Sequence, residues 1–201
     1  MARVSEAGPA ARAAFRLLLG LNLRLRRYAR LNLGRFLFRQ AHEAIGGRMR
    51  IMVCGGSRFD PRIGRDLFGL GFNIVQAYGL TECSGAATAT RVGDPHVDTV
   101  GPPLDGVEVR IAPEPGGAHE REYQDGEVLI RGPIVMAGYH NRPDVNAVTL
   151  AGGWLHTGDL GYLGPGGRLV ITGRKKEIIV LASGKNIYPE EIEAHYAASP
   201  F

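Results

Sequence analysis

An α/β fold is what this sequence predicts, and three patterns carry the prediction. Two short apolar runs at 50–54 and 72–77 flank a helical stretch at 61–70, the order of a βαβ unit. From residue 92 prolines and glycines become frequent, and strand-like segments at 107–111 and 127–131 are separated by turns, as in a small β-subdomain or distorted barrel. A later pair of apolar runs surrounds Leu163-Gly164-Pro165-Gly166-Gly167-Arg168, the composition of a hairpin turn. A chain of 201 residues can bury one sizeable core, or one core with a small appendage.

Residues 10–44 read as helix, because Leu17, Leu18, Leu21 and Leu25 recur at helical spacing while arginines fill the other face. Asn32-Leu33-Gly34 is a candidate break and Gly46-Gly47 the stop. The first fifty residues carry many arginines and only Glu6 and Glu43 as acids. Three readings of that face stay open: a solvated helix, a helix covered by other sequence, or peripheral contact with an anionic membrane. Nucleic acid is set aside as a partner, since no aromatic residues interleave with the arginines to stack bases.

The first apolar run ends at Gly55-Gly56-Ser57 and the second at Tyr78-Gly79-Leu80-Thr81-Glu82. A right-handed crossover between the two gives a parallel sheet, and ligands of such sheets lie beyond the carboxyl ends of the strands. Both loops fall there. Tyr78 has a ring face suited to adenine, and Gly79 lets the backbone approach a ligand closely. The Thr81 hydroxyl can donate to a phosphate oxygen, and the Glu82 carboxylate is a hard ligand for Mg²⁺. An ordinary turn after a strand is the alternative. Gly85-Ala86-Ala87 leaves room for an alkyl chain or marks a tightly packed strand.

In the late hairpin, Asp159 falls just before the first strand and Arg174 just after the second, so the turn brings them near one another. A carboxylate accepts from both hydroxyls of a ribose, and an arginine fork suits sugar or phosphate oxygens. A surface Asp–Arg pair is the alternative. Cys54 and Cys83 have no disulfide framework and no metal-ligand spacing, and read as small buried residues in a reducing compartment. No uninterrupted apolar run reaches about 18 residues. The expected location is the cytoplasm, with the membrane surface as the open alternative.

Several motifs occur in order. They are Tyr78-Gly79-Leu80-Thr81-Glu82, then Gly126-Glu127-Val128-Leu129-Ile130-Arg131-Gly132-Pro133 with Gly138-Tyr139, then Thr157-Gly158-Asp159-Leu160. Gly173-Arg174, Ser183-Gly184 and Pro189-Glu190-Glu191-Ile192-Glu193 follow. This set resembles the adenylate-forming (AMP-binding) superfamily of acyl-CoA synthetases, firefly-type luciferases and peptide-synthetase adenylation domains. Gly173-Arg174-Lys175-Lys176-Glu177 with Leu181-Ala182-Ser183-Gly184-Lys185-Asn186 is most similar to medium- to long-chain fatty acyl-CoA synthetases.

The resemblance implies the C-terminal part of the large adenylate-forming domain, followed by the start of the small α+β domain. Residues 1–48 are then an Arg/Leu-rich helical segment and 49–90 the βαβ nucleotide-site segment. Residues 91–174 form the β-subdomain and ribose-binding hairpin, and 175–201 the hinge and start of a truncated C-terminal domain. The implied reaction activates a fatty acid or other carboxylate with ATP and Mg²⁺ to acyl-AMP, then transfers the acyl group to CoA. Thr81 and Glu82 are the implied catalytic pair, contacting phosphate and Mg²⁺. Tyr78 and Gly79 lie at adenine, Asp159 and Arg174 at ribose, Lys176 at the hinge and Gly184 near the pantetheine channel. Gly55, Gly56 and Ser57 border adenine and the acyl carboxylate, although the family more often has Ala where Ser57 stands. The upstream phosphate loop with its lysine and the C-terminal catalytic lysine have no counterpart here. The expectation is therefore an internal piece of a synthetase, inactive without the remainder. Two alternatives remain: an adenylation domain loading a carrier protein, and a non-catalytic AMP-binding or membrane-docking module.

Overall fold

A computed structural model of the chain describes residues 8–57, 59–113, 125–177, 179–180, 186–187, 189, 192–193 and 196. The chain separates into two compact units, one of residues 1–75 and 91–98, the other of residues 76–90 and 99–201.

The first unit opens with helix α1 (Pro9–Arg24), whose proline occupies the first turn, where a missing N–H costs nothing. A π-helical turn (Leu25–Ala29) extends it and stops at Arg30, which is left-handed at φ 56°. The helix expected over 10–44 is therefore broken, and two short pieces, α2 (Gly34–Leu37) and α3 (Arg39–Ala44), complete the segment. Side-chain amides make the break affordable in hydrogen bonds. Asn32 accepts from Gly34 N and donates to Gly71 O, while the buried Asn22 accepts from Leu33 N and donates to Gly69 O.

Arg26 departs from the reading of arginines as one outer face, because it is only 6% exposed. Its Nη1 donates to Phe68 O at 2.6 Å and Phe72 O at 2.9 Å, and its Nη2 to Asn73 Oδ1 at 2.7 Å. The guanidinium lies 3.6 Å from the centroid of the Phe68 ring. Burial lowers its pKa to about 10, which still leaves it charged at neutral pH, with several acceptors around it.

Strand β1 (Met52–Cys54) starts beside the residue that precedes strand β2 (Ile74–Tyr78), with Met52 N donating to Asn73 O. Between them runs α4 (Pro61–Gly69), capped by Asp60, whose carboxylate accepts from Arg62 N. Strand, helix and strand thus follow in the expected order. The all-parallel expectation gives way at the end of β2, where Ala77 and Tyr78, already in the second unit, pair antiparallel with β3 (Thr88–Ala89) of the same unit. Cys54 is half-buried and Cys83 fully buried, so only the second meets the expectation for both.

The second unit carries a four-stranded antiparallel ladder in chain order: β4 (Glu108–Pro113), β5 (Gly126–Arg131), β6 (Leu155–Gly164) and β7 (Arg168–Arg174). Helix α5 (Pro143–Thr149) lies between β5 and β6 in sequence. Five successive residues of β5, from Gly126 to Ile130, are buried, so both faces of this strand are covered. Val128, Ile130, Leu155 and Leu169 form the centre of the core with Cys83, Ala87 and Val107. Each large apolar side chain buried there contributes about 1.5–3 kcal/mol. In the Gly85-Ala86-Ala87 stretch only Ala87 is buried, at 0% exposed, while Gly85 and Ala86 are exposed. Beyond β7 a single turn (Lys175–Glu177) precedes β8 (Ile179–Val180), which pairs with β9 (Asn186–Ile187). No helix among the described residues is long and apolar enough to cross a membrane.

Candidate functional site

The hairpin β6–β7 sets Asp159 directly opposite Arg174 in the ladder. Both are strand residues, not flanking ones as the sequence suggested, because β6 runs through the Thr157-Gly158-Asp159 stretch instead of starting after it. A bulge between Leu160 and Gly161 separates this pair from the rest of the hairpin register. Gly158, at φ 71°, supplies the left-handed residue that turns the backbone just ahead of Asp159.

Asp159 is only 3% exposed. Its Oδ1 accepts from Arg174 Nε at 2.8 Å, and its Oδ2 accepts from the Tyr78 hydroxyl at 2.7 Å. That second bond spans 81 positions and ties the end of β2 to the hairpin. Arg174 keeps 57% of its side chain in solvent, so the pair has one buried anion and one cation facing outward. The hydrogen bond to Asp159 raises the pKa of Arg174 further. Each carboxylate oxygen retains a second lone pair, and those two positions are what an adjacent diol would use.

Behind Asp159 the support is complete. Asp159 N donates to Thr157 Oγ1, and the Thr157 hydroxyl donates to Val128 O. Glu127, 9% exposed, accepts from Gly158 N at 3.1 Å and lies 3.4 Å from His156 Nδ1 and 3.8 Å from Lys175 Nζ. Sequence reasoning gave Glu127 no chemistry; its position in the Gly126–Pro133 run was the available signal.

Tyr78 is pushed well above its ordinary pKa of 10, first by burial and then by the neighbouring Asp159 charge. The folded chain therefore keeps the phenol proton that the unfolded chain releases near pH 10. Stability from this group is complete below about pH 10 and falls as pH rises past it, by up to about 1.4 kcal/mol per pH unit. Chemical denaturation between about pH 9 and pH 11 should show a steeper decline for the wild type than for Tyr78→Phe. Parallel curves would refute the assignment.

The loop after β2 turns back on itself. Residues Thr81–Cys83 form one 3₁₀ turn, and Ser84 is left-handed at φ 58°. Ala87 N donates to Tyr78 O, and Leu80 N donates to Cys83 Sγ. Gly79 is surrounded by the protein's own backbone: a Cβ there would collide with the Gly85 carbonyl. Thr81 is exposed and Glu82 half-exposed, three and four residues from the Tyr78–Asp159 bond.

Glu82 Oε1 accepts from the Tyr139 hydroxyl at 2.6 Å, which raises the Tyr139 pKa. Among the described residues no donor meets Oε2. One anionic oxygen with an open position suits Mg²⁺, which takes one or two carboxylates and completes its octahedron with phosphates and water. No group of three or more His, Cys, Asp and Glu gathers among the described residues, so no all-protein cage is built there.

The second unit thus joins Tyr78, Asp159 and Arg174 by hydrogen bonds, and carries Gly79, Thr81 and Glu82 in the loop that follows Tyr78. Gly55, Gly56 and Ser57 belong to the first unit, where they follow β1 and are exposed. Lys176 is exposed in the turn after β7. Gly184 lies outside the described residues.

Residues 11–140 match the family model described as AMP-binding enzyme. Long-chain-fatty-acid–CoA ligase FadD15 of Mycobacterium bovis is 39% identical over 166 residues, covering 83% of this chain and 26% of the ligase. Long-chain-fatty-acid–CoA ligase 1 of Homo sapiens is 36% identical over 167 residues, covering 82% of this chain and 24% of its own length. The chain therefore spans about a quarter of the length of the curated relatives it matches. Among solved structures, O-succinylbenzoate coenzyme A synthetase from Bacillus subtilis in complex with AMP is similar with a TM-score of 0.66 and 32% identity, over 75% of this chain and 31% of that one. The same enzyme in complex with ATP and magnesium gives a TM-score of 0.64 at 33% identity, over 75% of this chain and 32% of that one. With its fold and this match over well over half its length, the chain belongs to the AMP-binding enzyme family.

Proposed function

We propose that this chain supplies the AMP half-site of an ATP-dependent fatty acyl-CoA ligase. The observation that carries the reading is the buried Asp159 carboxylate, held from two sides by Tyr78 and Arg174, with a second lone pair on each oxygen. Tyr78 contributes its ring to the adenine side, and Arg174 turns its free donors toward sugar or phosphate. Thr81 donates to the α-phosphate, and Glu82 is the side chain that holds Mg²⁺. When bound, that cation neutralises charge on the polyphosphate. Lys176 is the position about which the following segment turns.

In the reaction so assigned, a fatty-acid carboxylate oxygen bonds to the α-phosphorus as the bond to pyrophosphate breaks. The CoA thiol, losing its proton, then bonds to the acyl carbon as AMP departs. No side chain acts as nucleophile, and the protein acts by position and by donors aimed at the phosphoryl oxygens. Support comes from the long-chain ligase relatives and from the solved relative in complex with AMP.

Calorimetry on the 201-residue chain should register saturable binding of AMP and of a non-hydrolysable acyl-adenylate. The same chain given ATP, Mg²⁺, fatty acid and CoA should form no thioester. Flat titrations with both nucleotides would overturn the half-site, and thioester formation would overturn the incompleteness.

A further inference from the structure

Tyr139 plays no part in the reading above, yet its hydroxyl reaches across 57 positions to Glu82 Oε1. The segments around the two residues are joined twice more. Met136 N donates to Glu82 O at 2.8 Å, and Ser84 Oγ donates to Ile134 O at 2.9 Å. These two bonds already hold the loop, so the phenol is not needed to close it.

Tyr139 is itself anchored by Asn146 on α5. Asn146 Oδ1 accepts from Tyr139 N at 2.7 Å, and Asn146 Nδ2 donates to Tyr139 O at 3.0 Å. One amide satisfying both main-chain groups fixes the tyrosine backbone as a strand partner would, leaving only side-chain torsions free. The hydroxyl is then a donor set in place before any ligand arrives. A short bond from a hydroxyl to a carboxylate is among the stronger hydrogen bonds, and it fixes the plane of the carboxylate.

We propose that Tyr139, anchored by Asn146, is a positioning residue for Glu82, occupying Oε1 so that Oε2 is the oxygen presented to the cation. The inference rests on the reading of Glu82 as the Mg²⁺ ligand. Outer partners of metal-binding carboxylates have this effect, and their loss lowers metal affinity by about 10–100-fold.

Mn²⁺ in place of Mg²⁺ gives a direct readout, because bound Mn²⁺ enhances water-proton relaxation. With Mn²⁺ and ATP on the full chain, Tyr139→Phe should weaken the metal complex about tenfold, with metal-free AMP affinity unchanged. Asn146→Ala should reproduce the loss, and the double variant should lose no more than Tyr139→Phe. Glu82→Gln should remove the bound-metal signal. A wild type without that signal, or a Glu82→Gln variant that keeps it, overturns the ligand reading and this inference with it. If Glu82→Gln loses the signal while Tyr139→Phe keeps wild-type affinity, the Tyr139 assignment alone is overturned. Tyr139 is 37% exposed and phenylalanine keeps its shape, so the melting temperature should hold. A clear drop would assign the hydroxyl to stability instead and likewise overturn the proposal.

Discussion

Replacing Asp159 by asparagine is expected to weaken AMP binding by about a hundredfold, from the loss of roughly 3 kcal/mol in charge-assisted hydrogen bonds to the ribose. The side chain keeps its shape, so the effect separates charge from packing. One carboxamide group must then face either Arg174 Nε or the Tyr78 hydroxyl, both of which donate in the native arrangement. Set against Arg174 Nε the amide nitrogen leaves that pair unmade inside a site that is 3% exposed, and set against Tyr78 it forces the phenol to turn from donor to acceptor. The stability cost should be smaller, about 1–2 kcal/mol, because the Arg174 side chain is 57% exposed and water screens its half of the pair. Calorimetry with AMP and a thermal melt on the same preparations read the two effects apart. Equal AMP affinity in both proteins would remove Asp159 from the site, whatever happens to the melt.

The parts of this arrangement that were legible in the sequence are those set by local spacing. A glycine-rich turn between two apolar runs specifies a hairpin, and a hairpin makes Asp159 and Arg174 neighbours, as the ladder shows. Strand, helix and strand at 50–77 follow from two apolar runs that flank a helical stretch. The bonds that make the site a site are long-range. Tyr78 to Asp159 and Tyr139 to Glu82 join segments 81 and 57 positions apart, and no periodicity encodes which hydroxyl meets which carboxylate.

Two further surprises come from residues used against type. Arg30 and Ser84 adopt left-handed backbone without being glycine, so neither turn announces itself. Arg26 shares a sequence pattern with solvent-facing arginines, but it is buried against the carbonyls of Phe68 and Phe72. Burial of a cation is invisible until its acceptors are placed around it. Gly79 is the instructive middle case. The sequence marks it as a place where backbone comes close, but the approaching group in the structure is Gly85 of the same loop.

That close approach makes Gly79→Ala the second substitution with a large expected effect. The added methyl would meet the Gly85 carbonyl and, at 2.8 Å, the Ala86 Cα. Both neighbours are backbone, so no side-chain rotation can relieve the contact. Relief must come from opening the turn, which carries Cys83 N to Leu80 O at 3.1 Å and Ala87 N to Tyr78 O at 2.8 Å. Overpacking of this kind costs about 1–3 kcal/mol or more, which is a melting-temperature drop of about 2–4 °C per kcal/mol at this chain length. The same opening displaces Thr81 and Glu82, so nucleotide affinity should fall together with stability. Gly20→Ala is the matched control, since nothing lies within 4 Å of a Cβ there and the residue sits inside α1. It should leave AMP binding unchanged and raise stability by about 0.5–1 kcal/mol, the usual gain of alanine over glycine within a helix. If Gly79→Ala melts like the wild type and binds AMP equally well, the closed turn is not what holds Thr81 and Glu82 in place.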